Sequence, residues 1–156
     1  MTAHALGDVC SRLSSGKGIP AAQIKATGSY PVMGGNGLRG YAEHFNFEGD
    51  CAIIGRQGAA CGNVRFFSGK AYMTEHAVVA CANKGHDTHY LAYLLSTMDL
   101  GRLSAQSAQP GLSVKTLARQ IIDLPSLGVQ QCVVELLGKL DSKIALNQQT
   151  NDCLAA

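Results

Sequence analysis

Residues 51–82 read CAIIGRQGAACGNVRFFSGKAYMTEHAVVACA, and this stretch decides the fold. Val, Ile and aromatic residues gather there in short runs, 51–55, 63–67, 72–74 and 77–82, bounded by Gly, Asn and Ser. Runs of that length and composition predict strands joined by tight turns. A further run lies upstream at 30–33. The glycine-dense segments 16–18 and 34–40 mark turns, where the backbone needs positive φ or close approach to something else. Downstream, Asp87 or Thr88 can cap a helix that carries Tyr90, Leu91, Leu94, Leu95 and Met98 on one face. Ser113 can cap a second, shorter helix through Leu117, followed by an extended 121–124 that Pro125 ends.

The tail differs in kind. From 129 to 154 there is no Pro, the only Gly is Gly138, and Val133, Leu137, Leu140, Ile144, Asn147, Asn151 and Leu154 alternate in steps of four and three. That is the a/d seam of a coiled coil, weakened by two asparagines that fix register at some cost in stability. An amphipathic helix folded onto its own domain is the alternative. The expected fold class is therefore α+β: a mixed, strongly bent sheet bordered by short helices over 1–127, and a long helix over 128–156.

A chain of 156 residues, 46% apolar and 15% charged, suits one globular domain. No apolar run approaches the roughly 18 residues of a spanning helix, and Met1 to Asp8 has no cationic stretch leading into an apolar one, so a cytoplasmic protein without a membrane partner is expected. The six cysteines include no C-x-x-C pair and are expected to be free thiols, acting as small buried hydrophobes.

Basic charge is segregated. Residues 9–42 hold four cations (Arg12, Lys17, Lys25, Arg39), 51–74 hold three (Arg56, Arg65, Lys70) and 100–122 hold three (Arg102, Lys115, Arg119), with no acid in any of these segments. Together they could form a phosphate-facing surface. Asn36, Arg39, Arg56, Gln57, Asn63, Gln106 and Gln109 cluster on expected turns, and Arg, Asn and Gln are the side chains whose geometry suits guanine and adenine edges.

Catalytic signatures are missing by comparison. The Gly-x-Gly elements open no helical pattern, no Walker lysine motif occurs, and no proline sits in a methyltransferase-like catalytic setting. Glu48 and Asp50 have Lys70 only 20 residues on. His76 has no elbow-type nucleophile motif beside it. His86 and His89 have a spacing that metal sites use but no evident third ligand.

The chain also resembles a known family. Leu6-Gly7-Asp8-Val9-Cys10, Gly28-Ser29-Tyr30-Pro31-Val32-Met33-Gly34-Gly35-Asn36-Gly37, and Ile53-Ile54-Gly55-Arg56-Gln57-Gly58 followed by Cys61-Gly62-Asn63-Val64 are similar to the target recognition domain of type I restriction-modification specificity subunits. Thr74-Glu75-His76, Ala108-Gln109-Pro110-Gly111-Leu112-Ser113, Ile122-Asp123-Leu124-Pro125 and Leu140-Asp141-Ser142-Lys143-Ile144 continue the match in order. The resemblance implies a noncatalytic reader of double-stranded DNA that tells a partner adenine methyltransferase, and through it a restriction subunit, where to act, with no cofactor or metal of its own. The tail becomes a spacer helix.

Specificity subunits of this family carry two recognition domains and two spacer helices, so a chain with one of each is expected to be either a half subunit or a piece of a longer protein. The expected DNA contacts are Asn36, Arg39, Arg56, Gln57, Asn63, Arg65, Lys70, Thr74, His76, Gln106, Gln109 and Lys115. Val133, Leu137, Leu140 and Ile144 are expected to form a homodimer seam. A protein-interaction module without DNA binding, and a small metal-dependent hydrolase using His86 and His89, are the rival readings.

Overall fold

The computed structural model describes residues 1–104 and 111–155. Among these residues eight strands, β1 (Thr2–Ala5), β2 (Cys10–Ser15), β3 (Tyr30–Gly34), β4 (Gly37–Ala42), β5 (Phe47–Gly55), β6 (Val64–Met73), β7 (Ala77–Ala82) and β8 (Ile121–Leu124), combine with four α-helices, α1 (Leu6–Val9), α2 (Thr88–Thr97), α3 (Val114–Ala118) and α4 (Leu127–Ala155). Six strands form one mixed, bent sheet in the order β2-β7-β5-β6-β3-β4. Only the β3 and β6 pairing in it is parallel. The expected α+β class with a long C-terminal helix is what the chain adopts.

Period two divides β5 between two cores. Ala52 and Ile54 join Leu6, Val78, Ala80, Leu91, Leu95 and Leu117 under the helices, while Cys51 and Ile53 join Phe47, Met73 and Val79 on the other face. A strand buried on both faces must be apolar at every position, which is why 51–55 lacks alternation. α2 starts on Asp87, whose carboxylate accepts the Tyr90 N–H at 2.9 Å, and lies across β5 and β6 with Tyr90, Leu91 and Leu95 buried. Ser113 caps α3 by accepting from Thr116 N, as the sequence predicts.

Three expectations change. The runs 63–67 and 72–74 are one strand, because the ladder to β5 continues through Asp50 opposite Ser68, Gly49 opposite Gly69 and Glu48 opposite Lys70. The turn expected over the glycine segment 34–40 shrinks to Gly35 and Asn36 between the paired Gly34 and Gly37, and the rest of the segment belongs to the strand β4 of a hairpin. β1 and β2 were not expected at all. β1 pairs with β8 from Thr2 opposite Leu124 to Ala5 opposite Ile121, tying the start of the described chain to the root of α4.

All six cysteines are free, but Cys51 alone is fully buried, and Cys132 and Cys153 are exposed on α4. Burial, reinforced by the neighbouring Cys81, pushes the Cys10 and Cys51 thiols up to about 12.

α4 is anchored by a buried amide. Gln130, 0% exposed, accepts the Asp87 backbone N–H at 2.9 Å and donates to the Pro125 carbonyl at 2.9 Å. Its amide nitrogen also lies 3.2 Å from His86 Nδ1. Gln130→Ala should therefore lose about 1–3 kcal/mol in urea unfolding, because it strands a donor and an acceptor. Gln131→Ala, at the exposed neighbouring position, should stay within about 0.5 kcal/mol of the parent.

A candidate nucleic-acid interface

The β3–β4 hairpin and the turn after β5 enclose a cleft of about 580 Å³. Asn36, Leu38 and Arg39 line it from the hairpin, Gln57 to Ala60 from the turn and His76 from the β6–β7 connection. No carboxylate lies among these residues, so Arg39 gives the surface its charge. β4 is an edge strand, and its register slips between Val32 opposite Gly40 and Met33 opposite Leu38. Arg39 is thus the extra residue of a β-bulge, a device that re-aims a side chain. It stands on a strand rather than on the glycine loop expected for it.

Two glycines make the hairpin possible. Gly37 has φ +97°, in the region side chains disfavour. Gly35 packs so closely that a Cβ there would stand 2.8 Å from the His76 carbonyl oxygen and 3.0 Å from Gly55 Cα. The Arg65 guanidinium lies over Gly37, 3.5 Å from where its Cβ would be. A neighbouring cleft of about 360 Å³ is lined by Asn63, Arg65 and, with opposite charge, Asp99.

The expected contact residues separate accordingly. Asn36, Arg39, Gln57 and His76 come together in one cleft, Arg65 stands beside it, and Asn63 belongs to the next. Arg56 turns away and donates to Ser15 Oγ at 3.3 Å, while its carbonyl accepts the Leu112 N–H at 2.8 Å. Lys70 is held 3.6 Å from Glu48 and 4.9 Å from the centre of the Phe45 ring. Thr74 is 0% exposed, with its hydroxyl buried and unpartnered, so it lies beneath the surface and not on it. Lys115 is exposed on α3. Gln106 and Gln109 lie outside the described residues.

His76 Nε2 meets Glu75 Oε1 at 3.2 Å. Leu38, 56% exposed, escaped the sequence reading. Its only signal was the apolar, polar alternation of Leu38, Arg39 and Tyr41 across a glycine.

The paired histidines serve other ends. His86 binds Gln130, and its imidazole titrates lower than usual because of burial and then the nearby His4. His89 is stacked between Phe66 and Tyr93. Among the described residues no group of three or more His, Cys, Asp or Glu could hold a metal ion. No described helix is long and apolar enough to cross a membrane.

The tail seam is also divided. Val133 packs against the main core, Leu137 is half-buried, and Leu140 and Ile144 are each 54% exposed.

The chain is an α+β body with a cleft whose lining holds no carboxylate, and it carries a long helix whose outer part is exposed. The chain belongs to the family of type I restriction modification DNA specificity domains, whose model matches residues 2–156. It is 41% identical over 113 residues to the type I restriction enzyme EcoprrI specificity subunit of Escherichia coli, covering 72% of this chain and 28% of that subunit. A putative type I specificity subunit of Haemophilus influenzae is 22% identical over 138 residues, 86% of this chain and 36% of that one. The S subunit of a Mycoplasma genitalium type I system has the same fold, with a TM-score of 0.83 at 19% identity over 95% of this chain and 41% of that one. The HsdS subunit of Thermoanaerobacter tengcongensis gives a TM-score of 0.67 at 15% identity, over 93% of this chain and 38% of that one. The chain thus spans well under half the length of the relatives it matches.

The crowding at the hairpin is testable on its own. Gly35→Ala should cost about 1–3 kcal/mol of stability in chemical unfolding, as overpacking against backbone does. Gly138→Ala, on a helix with nothing near the added methyl, should gain about 0.5–1 kcal/mol.

Proposed function

We propose that this chain reads a specific duplex DNA sequence as the specificity subunit, or half of one, in a type I restriction-modification system. It directs a partner adenine methyltransferase and, through the complex, a restriction subunit in the cytoplasm. It catalyses nothing itself and holds no cofactor. Residues 1–127 act as the recognition domain and 128–156 as the spacer helix.

The observation that carries this reading is Arg39 on its bulge, aimed into a cleft that also gathers Asn36, Gln57 and His76 and has no carboxylate among its lining residues, Glu75 standing behind His76 outside them. Arg can bond guanine O6 and N7 together, and Asn or Gln can do the same for adenine, so one such cleft holds readers for both base pairs. Leu38 offers an apolar contact of the kind a thymine methyl takes. Arg65, Asn63 and Lys115 supply flanking cationic and polar contacts to phosphate.

The test is duplex binding across a salt series, followed by co-expression with the cognate modification subunit and mapping of the methylated adenines. Affinity should fall steeply and linearly in log salt, by about 0.9 decade per decade for each phosphate contact. Arg39→Ala should cost about 1–3 kcal/mol on the cognate site and relax one position of the methylation motif, whereas Arg56→Ala, already tied to Ser15, should cost less. Absence of duplex binding at low salt would leave the protein-interaction reading standing instead.

Assembly gives a second check. The exposed Leu140 and Ile144 form a seam that a second helix would bury, at roughly 1.5–3 kcal/mol for each large side chain. The parent should sediment as a homodimer with a bipartite, inverted DNA site, and Leu140→Asp with Ile144→Asp as a folded monomer. A monomeric parent at tens of micromolar would remove the dimer.

A further inference from the structure

Among the described residues, two polar side chains on one face of α4 reach the body. The first is Gln130. The second is Asp141, which accepts the Tyr93 hydroxyl proton at 2.5 Å. Eleven residues separate them, about three turns, so both point the same way. Val133 and Val134 pack against the core between them. From Lys139 onward the described side chains are exposed, and among the described residues the Tyr93 bond is the last hydrogen bond between the helix and the body.

Tyr93 is itself held firmly. Its ring lies 4.6 Å from His89 with 15° between planes, and His89 lies 3.8 Å from Phe66 at 8°. The stack runs from the sheet through α2 to α4. Burial and then the Asp141 bond push the Tyr93 hydroxyl up to about 12, so it keeps its proton and remains a donor at any physiological pH.

Two points fix a direction where one permits a swing. From Gln130 to Ala155 the arm is about 38 Å long at 1.5 Å per residue. A swing of about 10° around Gln130 would move its end by about 6–7 Å, roughly two steps of 3.4 Å along DNA.

We propose that the Tyr93–Asp141 bond, backed by the Phe66–His89–Tyr93 stack, fixes the angle at which α4 leaves the body and thereby sets the separation of half-sites that the assembled complex accepts. The proposal rests on the DNA-reading function above. Tyr93 and Asp141 are positioning residues that act through α4, and neither lines the Arg39 cleft.

The experiment has two arms. In the first, the modification complex is given sites with identical half-sites and spacers one base pair shorter or longer than the preferred one. Tyr93→Phe and Asp141→Leu should lose about tenfold of the parental preference, the scale of one charge-assisted hydrogen bond, with half-site affinity unchanged. Asp141→Asn, whose amide oxygen can still accept, should retain the preference. In the second, spin labels on the exposed Cys153 and on Ser68→Cys, in a background with Cys10, Cys61 and Cys81 replaced by Ala and Cys132 by Ser and diluted with unlabelled chain, report the distance across the junction. Tyr93→Phe should broaden that distribution.

A narrow distribution in Tyr93→Phe overturns the clasp. A broad one with parental spacer preference overturns its link to spacing. A parent that methylates no bipartite site, while Tyr93→Phe still broadens the distance, overturns the DNA-reading function and leaves the clasp standing.

Discussion

The architecture depends on one buried side-chain amide. Gln130 stands at the meeting of three segments: the start of α2, the turn after β8 and the first turn of α4. Its oxygen takes the N–H of the residue that caps α2, and its nitrogen serves the carbonyl of Pro125. A buried amide left without partners costs free energy, so each segment constrains the others. β8 is held in turn by β1, and Leu6 N donates to the Gln120 carbonyl at 2.8 Å. The amide therefore organises the lower end of the molecule, and the sheet can carry the cleft at a place free of that burden.

At the cleft the constraints are of the opposite kind. An edge strand has unpaired backbone groups and tolerates a bulge that a central strand would not, since the extra residue breaks the ladder. Placing Arg39 there aims a cation without disturbing β5, whose two faces are committed to packing. Gly35 then lets the hairpin press against the His76 carbonyl and Gly55. The polar groups of the cleft stand on a backbone fixed by close packing, so their positions relative to one another are set before any ligand arrives.

What the sequence disclosed follows from where side chains are asked to work. β3, β7 and the apolar ends of β5 and β6 were legible because branched and aromatic residues are needed to fill two cores. β1, β2 and β4, reading TAHA, CSRLSS and GLRGYA, pack weakly or stand at edges, and their strand character comes from partners distant in sequence. The caps Asp87 and Ser113 were legible because capping is local. The gathering of Asn36, Arg39, Gln57 and His76 was foreshadowed by residue type, but the exclusion of Arg56 depends on Ser15, and the burial of Thr74 on the turn between β6 and β7. The heptad steps in α4 announced a seam without telling that its first members face the body. Gln130 stood out only through the family resemblance, as half of the Gln130-Gln131 pair leading into that pattern, and nothing local told that its amide would be buried.

The cleft and the arm share a strand. Along β6 successive side chains point to opposite faces, so Arg65 lies opposite Ile53 on one side and Phe66 opposite Ala52 on the other. Arg65 covers Gly37 at the cleft, and Phe66, the next residue, begins the stack that leads through His89 and Tyr93 to Asp141. The path from Phe66 to Asp141 runs through packed rings and one hydrogen bond, with no loop along it. The flank of the cleft and the hold on α4 thus rest on adjacent residues on the two faces of one strand.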